Sequence, residues 1–475
     1  MKTADTAAVQ PSNVERAPPS VAFGKGFVRD EGAAVRQPAF DGWHMAQAGF
    51  RTDWSSAAGK AVTLQGDIYR GQAGQRVRVT RYRQPYQSLV DDDVGLAGGN
   101  IVARWSSRTR KGSNITVQGW FDRTGREEVA FSETRNTFDL DLQAALAPVA
   151  RHRLVWGAGY RVSTDRTRAE PIREFVPANR TTHLFSAFLQ DQYALIPSRL
   201  ELAAGARVEH NAYSGIEVQP SVRLVWTPDA AQTFVASVTR AVRTPSRVEE
   251  DYYTGALLVP QIPLFLRLEP NDDFEPEKLV AYEAGYRLRI GTRLFATASA
   301  FVNDHRDLLD VRAGTPYAEA GQGGMRLIMP ARFVNALHGN SHGMELTGDV
   351  RITPWWRWTG AYSLLRVQLT GPPGSQEARN ERGSPQHQGS LRWSLDLPHT
   401  FELDVVARAV GALPAVAVPS YAAADVRLAW TMHDRVTFEI AGRNLPQASH
   451  REFTGGNAGD VGIQRGVYAG ATWVF

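Results

Sequence analysis

The sequence predicts an all-β chain that folds as a transmembrane antiparallel β-barrel of about 20 strands. Three observations predict this fold. Segments of alternating polarity recur in pairs along the 475 residues, the connections alternate between short and long, and tryptophans gather at one end of the pairs. Every backbone group inside a bilayer must be hydrogen-bonded, and a closed barrel of alternating strands meets that requirement.

The last segment, residues 465–475, alternates cleanly up to Phe475. Counting back in twos from Phe475, positions 473, 471, 469 and 467 are apolar, whereas the other phase is smaller and more polar. The end of a soluble chain normally frays into water. A barrel that closes on its own last strand has reason to end on an apolar residue. We therefore predict that Phe475 is the barrel assembly signal.

Composition narrows the class of protein. Hydrophobic residues make up 43% of the chain and the mean hydropathy is −0.31, with no apolar run of the about 18 residues that a membrane helix needs. These values exclude a helical membrane protein but not a barrel, whose alternating strands average out as hydrophilic. The chain has no cysteine and a net charge of +4 without a basic tract. We therefore expect neither a thiolate metal site nor a nucleic-acid partner.

Nine pairs of alternating segments predict nine hairpins. They are Gly42–Trp54 with Ala61–Arg70, Gly99–Trp105 with Asn114–Asp122, Thr137–Leu146 with His152–Val162, His183–Leu195 with Arg199–Glu209, Glu217–Trp226 with Thr233–Arg240, Glu277–Arg289 with Arg293–Asn303, His342–Ile352 with Trp356–Leu365, Gln386–Leu395 with Thr400–Arg408, and Tyr421–Thr431 with Val436–Gly442. In the fourth pair, Leu200 and Leu202 share one face of their segment and Glu201 lies on the other. With Val21–Arg29 and the closing strand, the total is about 20.

The lengths of the connections give the second signal. Within pairs they are short and carry turn residues, as in Ile196–Ser198, Thr227–Asp229 and Ile290–Thr292. Between pairs we predict long polar loops, as at Gly71–Gly98, Ala241–Pro276, Asp304–Gly339 and Asn444–Arg465. This arrangement is typical of outer-membrane barrels with periplasmic turns and extracellular loops. A β-propeller would instead show a repeat of blade length, and the sequence has none.

Tryptophan gives the third signal. Nine of the 12 tryptophans lie at the predicted edge that carries the short turns. Six of them form the predicted membrane-interface girdle, namely Trp54, Trp105, Trp226, Trp393, Trp430 and Trp473, and Trp355, Trp356 and Trp358 lie at an equivalent turn. Indole combines an apolar body with one N–H donor and therefore partitions to the headgroup level of a bilayer.

Several segments together resemble one family. Phe274–Arg287 (FEPEKLVAYEAGYR) resembles the stretch of TonB-dependent receptors that leads into a mid-barrel strand. His342–Leu346, Tyr362–Ser363, Ala424–Leu428, Gly442–Leu445, Arg451–Phe453 and Gly466–Phe475 are similar to the same family. Each segment is loose by itself, but their order and spacing over residues 180–475 make the resemblance specific.

The resemblance implies a 22-stranded barrel with an N-terminal plug domain in its lumen. Such receptors lie in the Gram-negative outer membrane, in contact with its lipid. They import a scarce small molecule such as a ferric siderophore, cobalamin or an oligosaccharide, and TonB energises them through a short N-terminal box. The favoured ligand here is a ferric siderophore or a similar chelate.

The N-terminal part departs from this pattern. Counting back from the C-terminus, two strands of the family barrel, the plug and the coupling box are missing. The first 20 residues lack the apolar region of a secretory signal and are rich in Ala, Pro, Ser and charge. We therefore predict a disordered lead over residues 1–19 and a receptor-like barrel over 20–475. A split gene, a wrongly assigned start or a truncation would each explain this departure.

Candidate ligand-binding residues follow from their position beside one of the longest predicted loops. Arg240, Arg243 and Arg247 lead into this loop, where guanidinium groups could bind an anionic or ferric-chelate ligand. Tyr252 and Tyr253 could stack on the same ligand or pack against neighbouring loops. The alternative is that these arginines are solvated lumen or loop residues, or that they pair with a plug domain. The acidic runs at 91–93, 249–251 and 271–273 lack EF-hand spacing, which favours solvated loop charge over calcium sites.

No catalytic site, metal site or cofactor is predicted. The histidines are dispersed without metal-ligand spacing, and neither a nucleophile elbow nor a phosphate-cradling loop is present. The favoured function is therefore TonB-dependent uptake, not an enzymatic activity. A passive porin-like channel or structural barrel fragment is the first alternative, and a soluble carbohydrate-binding β-protein is the second.

Overall fold

The computed structural model describes residues 22–26, 40, 42–57, 59–169, 172–259, 261–321, 323–376, 381–433, 435–445, 447–452 and 462–473. The described part is built almost entirely of strands. They are β1 Ala22–Gly26, β2 Trp43–Ser56, β3 Lys60–Thr80, β4 Gln87–Arg108, β5 Asn114–Glu128, β6 Phe131–Ala145, β7 His152–Ala169, β8 Arg173–Phe175, β9 Asn179–Ile196, β10 Leu200–Asn211, β11 Gly215–Trp226, β12 Gln232–Arg243, β13 Tyr252–Val259, β14 Leu264–Glu269, β15 Glu277–Ile290, β16 Leu294–Ala313, β17 Tyr317–Gly321, β18 Gly324–Thr353, β19 Trp356–Thr370, β20 His387–Leu397, β21 Phe401–Val410, β22 Tyr421–Met432, β23 Val436–Arg443, β24 Ser449–His450, β25 Ile463–Gln464 and β26 Gly466–Trp473.

Helices are few and short in the described residues. They comprise the α-helix α1 Arg247–Glu250 and two 3-10 turns at Pro398–Thr400 and Pro414–Val416. None of the helices in the described part of the chain is long and apolar enough to cross a membrane.

A 24-stranded sheet contains all the strands except the β24–β25 pair. Twenty of its strands form the barrel wall as an antiparallel meander, in which each strand pairs with the next along the chain. They are β1 to β7, β9 to β12, β15, β16, β18 to β23 and β26. The other four strands, β8, β13, β14 and β17, are short. They pair with each other or with β18 at one end of the barrel. The predicted transmembrane β-barrel of about 20 strands is confirmed, and so are all nine hairpins.

Alternation along each wall strand separates two faces. In β10 and β11, the apolar pairs Leu202–Leu224 and Val208–Val218 alternate with polar pairs such as Glu209–Glu217. We call the apolar positions the outward phase and the polar positions the lumen-facing phase. This assignment follows from the chemistry of the bilayer, because one face of each strand must suit hydrocarbon and the other can be wet.

Short turns close the hairpins at one end of the barrel. In the β9–β10 turn, the Arg199 N–H donates to the Ile196 carbonyl at 3.0 Å, and Ser198 has a φ of +63°. In the β15–β16 turn the left-handed position is Gly291, with a φ of +55°, where a residue without a Cβ fits best. The long connections lie at the opposite end of the barrel, which we call the mouth.

The long connections differ from the predicted loops because they are largely strand. Residues 71–80 and 87–98 continue β3 and β4, and most of 304–339 belongs to β16, β17 and β18. β18 is 30 residues long, about three times the length that a tilted strand needs to cross a bilayer. The backbone groups that leave the membrane therefore remain paired with each other instead of with water.

The most completely buried side chains of the described residues lie at the mouth and not in the barrel wall. Phe265 and Ile328 are both 0% exposed and pack with Ile172. Tyr82 and Tyr86, in the β3–β4 tip, meet the Phe265 ring edge-on at 5.0 and 5.7 Å. We call these five residues the mouth core. It joins four connections that are far apart in the sequence.

Candidate functional site

A single helical turn, α1, organises the candidate site beside the mouth core. The Ser246 hydroxyl accepts from the Val248 N–H at 3.2 Å. The Ser246 N–H and hydroxyl donate to Glu249 at 2.9 and 2.6 Å. This reciprocal capping box satisfies donors that the start of a helix leaves free. It fixes the direction of the chain between β12 and β13.

Arg247 is the most deeply placed of the three predicted arginines, with 7% of its surface exposed. Its Nε donates to Asp251 at 2.7 Å, and its terminal nitrogens donate to Asp165 and to the Pro177 carbonyl. The guanidinium also lies 4.7 Å from the Phe175 ring centroid. These hydrogen bonds and the contact with the ring therefore offset the cost of burying the Arg247 charge.

Arg243 lies at the end of β12 and faces the lumen. It donates to Glu277 at 2.6 Å and to Glu249 at 2.9 Å, and it lies 5.8 Å from the ring centroid of Phe274. Its side chain is 44% exposed. Arg243 and Arg247 are therefore linked through α1, and of the two only Arg243 presents much of its surface.

Arg240 is not part of this group. It belongs to the outward phase of β12 with Val238, which is 44% exposed. Its guanidinium contacts the Val218 carbonyl and lies 3.4 Å from Glu217. The structure therefore separates Arg240 from the other two arginines, and the predicted ligand contact of all five residues stays a prediction.

The two predicted tyrosines lie in β13, opposite β8. Tyr252 pairs with Phe175 in register, with 4.7 Å between ring centroids, and Tyr253 pairs with Glu174. Phe175 thus contacts both Tyr252 and Arg247 and brings them together. Tyr252 and Tyr253 are half-buried.

Sequence reasoning missed the partners of Arg247. Asp165 lies on β7, and Arg180, the second residue of β9, contacts Asp251 and, at 3.7 Å, Glu250. Arg180 also lies 4.8 Å from the Tyr213 ring centroid. No spacing in the sequence predicts these contacts, although the Ser246–Glu249 pattern would have predicted the cap of α1. We call Asp165, Arg180, Arg243, Arg247, Glu249 and Asp251 the mouth network.

Burial and neighbouring charges shift the carboxyl groups of α1 in opposite directions. Burial, together with the negative charges of Asp251 and Asp272, raises the pKa of Glu250 from its ordinary 4.5 to about 7, although Arg180 opposes this. Burial also acts to raise the pKa of Glu249, but hydrogen bonds from Ser246 and Arg243 hold it below its ordinary value. Of these two carboxyl groups, Glu250 is therefore the one whose pKa lies in the physiological range.

This shift predicts a pH dependence of the mouth. Between pH 4.5 and about 7 the folded mouth keeps the Glu250 proton that the unfolded segment has lost, so its stability falls as the pH rises through this window. We expect proteinase K to cleave near α1 more slowly at pH 5 than at pH 8, relative to its cleavage of an unfolded substrate. Glu250→Gln should remove this difference. An unchanged pH dependence in the variant would assign the effect to another group.

The lumen wall is polar, and most of its arginines are paired. Arg161 donates to Asp139 at 2.7 Å, Arg392 to Asp404 at 2.7 Å and Arg427 to Glu439 at 2.8 Å. Three other lumen-facing arginines, Arg104, Arg223 and Arg287, are exposed and have no ion pair with any described residue. They alternate with outward residues such as Trp105, Leu224 and Tyr286.

The predicted girdle tryptophans lie near the short turns. Trp226 ends β11, and Trp54 is the third residue from the end of β2; they are 46% and 55% exposed. Trp358 pairs with Trp393 in register, and Trp355 and Trp356 continue this aromatic row. Contact with the membrane interface stays a prediction for this set, and Phe475 lies outside the described residues.

The described residues also form no candidate metal site. Within the described residues, no group of three or more His, Asp or Glu side chains could hold a metal ion. Asp91 pairs with Arg76, and Asp251 with Arg247 and Arg180.

Comparison with known proteins gives the same architecture. The profile of the family described as TonB dependent receptor-like, beta-barrel matches residues 13–445. The iron-regulated outer membrane virulence protein of Vibrio cholerae serotype O1 is 25% identical over 245 residues, which cover 50% of this chain and 35% of that protein. The chain thus spans about a third of the length of the curated relatives it matches.

Solved structures share the fold at low identity. The siderophore receptor PirA from Acinetobacter baumannii has a TM-score of 0.69 at 14% identity, over 92% of this chain and 71% of that one. A ferric enterobactin receptor (PfeA) mutant from Pseudomonas aeruginosa, in complex with enterobactin, has 0.69 at 15%, over 94% and 73%. The copper transporter OprC has 0.70 at 14%, over 95% and 75%.

Proposed function

The chain belongs to the TonB-dependent receptors, of which it forms the β-barrel, and on that premise we propose that it takes up an anionic ferric chelate. The barrel lies in the bacterial outer membrane. A plug domain and TonB are the partners that this proposal requires. A siderophore is the favoured class of chelate, ahead of cobalamin or an oligosaccharide.

One observation carries the choice of an anionic cargo. Arg104, Arg223 and Arg287 line the lumen without a carboxylate partner among the described residues, whereas Arg161, Arg392 and Arg427 of the same wall are paired. An unpaired guanidinium binds anionic oxygens through charge-assisted, often bidentate hydrogen bonds. A neutral oligosaccharide would gain less binding free energy from hydrogen bonds to these three arginines. Iron is consistent with the relatives, one named an iron-regulated outer membrane protein and another a ferric enterobactin receptor.

The first step of uptake is assigned to the mouth. Arg243 is half-exposed at the lumen-facing end of β12, while the Phe274 ring beside it is buried. The exposed guanidinium suits a negatively charged chelating group. Arg247 supports Arg243 through α1 and does not itself meet the ligand in this proposal.

The test is iron uptake by cells that express the gene encoding this chain. The probe is ⁵⁵Fe complexed with enterobactin, in a Gram-negative strain that lacks its own receptors for this chelate. We expect accumulation that saturates and that disappears when TonB is deleted. The Arg104→Gln/Arg223→Gln/Arg287→Gln variant should lower uptake by about tenfold, because each lost charge-assisted bond weakens binding.

The control is Arg306→Gln, which removes an exposed arginine already paired with Asp304 at 2.9 Å, and it should leave uptake unchanged. Uptake that is unsaturated and independent of TonB would overturn the proposal and favour the passive channel. Uptake that the triple variant does not change would overturn the assigned role of the lumen arginines.

A further inference from the structure

The outward face of the barrel carries an open groove above its apolar belt. The groove runs across β3 to β7 and has a volume of about 1130 Å³. Gly95, Ala97 and Gly125 form its floor, Arg70 borders it on β3, and Arg166 and Arg168 border it on β7. We call these six residues the outer groove.

Strand register places all six residues on the outward phase. Arg70 pairs with Ala97, Ala97 with Gly125, and Gly125 reaches Arg166 through Thr134. Residues paired across neighbouring strands point to the same side of a sheet. The outer groove therefore faces the membrane environment and not the lumen.

The outer groove lies two rows above the highest fully apolar row of the outward face. Below it, Ile101, Phe121 and Phe138 pair in register and are between 41% and 45% exposed. The intervening row contains both Ile68, 68% exposed, and Arg123. One row is two residues, or about 5 Å along the membrane normal for a tilted strand, so the outer groove lies about 10 Å above the row of Ile101, Phe121 and Phe138. This height falls within the headgroup layer of the outer leaflet.

The arginines at this height are available to an outside ligand. Arg70 and Arg166 are exposed and have no hydrogen bond or ion pair with any described residue. Among the same residues, Arg123 donates only to the amide oxygen of Asn136, at 3.0 Å. Arg168 lies 3.8 Å from Glu127, with both side chains more than three-quarters exposed. Arginines of the mouth network, in contrast, are paired with carboxylates.

The dimensions of the outer groove favour more than one anionic group. β3 and β7 are four strand spacings apart, which places Arg70 and Arg166 about 19 Å apart along the row. The small floor residues keep the space between them open. A ligand that reaches both edges therefore needs separated anionic groups, and a single phosphate would meet only one edge.

We propose that the outer groove binds the headgroup of an outer-leaflet lipid that carries at least two phosphates. The phosphates accept hydrogen bonds from the arginines at the two edges. The acyl chains then lie downward over Ile68, Ile101 and Phe121, which a soluble anion could not use. This continuity between the cationic groove and the apolar belt assigns the ligand to a lipid.

The test compares lipids that differ only in their phosphates. The full-length protein is purified in detergent, and native mass spectrometry measures the binding of a bisphosphorylated lipid and of its dephosphorylated form. We expect the bisphosphorylated lipid to bind at least tenfold more tightly to the wild-type protein. Arg70→Gln/Arg166→Gln should remove this preference, and high salt should weaken it.

Two further variants keep the test decisive. Arg240→Gln/Arg306→Gln removes two outward arginines that already have carboxylate partners, and it should retain the preference. Ala97→Leu fills the floor without a change of charge and should weaken binding. Equal binding of both lipids, or equal losses in the two double variants, would overturn the proposal. Inorganic pyrophosphate that binds as tightly as the lipid would overturn the assignment to a lipid.

Discussion

Replacement of Arg247 by alanine is expected to destabilise the mouth by about 3–5 kcal/mol, the cost of breaking a buried ion pair by removal of one partner. Asp165 and Asp251 would remain buried, with side chains 8% and 4% exposed. Arg180 still contacts Asp251, but among the described residues Asp165 would keep only Arg135 as an ionic partner, at 3.9 Å. The Pro177 carbonyl would also lose its donor.

Hydrogen exchange read by mass spectrometry measures this loss in the protein in nanodiscs. Peptides that cover α1 and β13 should exchange faster in Arg247→Ala, while peptides from the lower parts of β10 and β11 should keep their rates. Arg306→Ala is the control, because an exposed pair such as Arg306–Asp304 contributes only about 0–1 kcal/mol. Unchanged exchange at α1 would show that the mouth network does not hold the mouth together.

Arginine at position 222 is expected to destabilise the barrel by about 2–4 kcal/mol, the cost of this charge on the lipid face near the bilayer midplane. Val222 is 49% exposed and lies between Ala204 and Val238 in the outward phase of β11. The neighbouring Ser221 lies between Gly205 and Thr239 on the lumen-facing phase. Ser221→Arg adds the same charge to a wet wall and should cost less than about 1 kcal/mol.

Urea titration of the two variants in lipid vesicles gives the comparison directly. Because the two substitutions are adjacent in one strand, differences in propensity and depth nearly cancel. A large loss in Val222→Arg alone supports the assigned faces. Similar losses in both variants would falsify the division of the wall into an outward and a lumen-facing phase.

The barrel could be predicted because its signals are local. Alternation in segments such as Arg199–Glu209 depends only on which side of a strand meets lipid, and the turn at Ile196–Ser198 identifies its own hairpin. The predicted long loops were wrong for residues 71–98 and 304–339 because these strands continue beyond the membrane. Outside the bilayer a polar residue suits both faces, so the alternation of polarity that identifies a strand is lost.

The candidate site was less predictable for a related reason. Position in the sequence was enough to nominate Arg243 and Arg247, but not to find Asp165, Arg180 or Phe175, which lie on strands distant in the sequence. Proximity in sequence also grouped Arg240 with them, although the alternation of β12 places it on the opposite face. The outer groove depends on register across five strands, and no short motif encodes such an arrangement.

The mouth core also has a consequence for the order of assembly. Tyr82 comes from the first third of the chain, yet it packs against Phe265, and the Arg326 guanidinium lies 3.9 Å from its ring centroid. Such distant contacts pay a large loop-closure entropy unless the intervening hairpins have already drawn the segments together. We therefore expect the β3–β4 tip to dock late, once the hairpins between Tyr82 and Arg326 have formed.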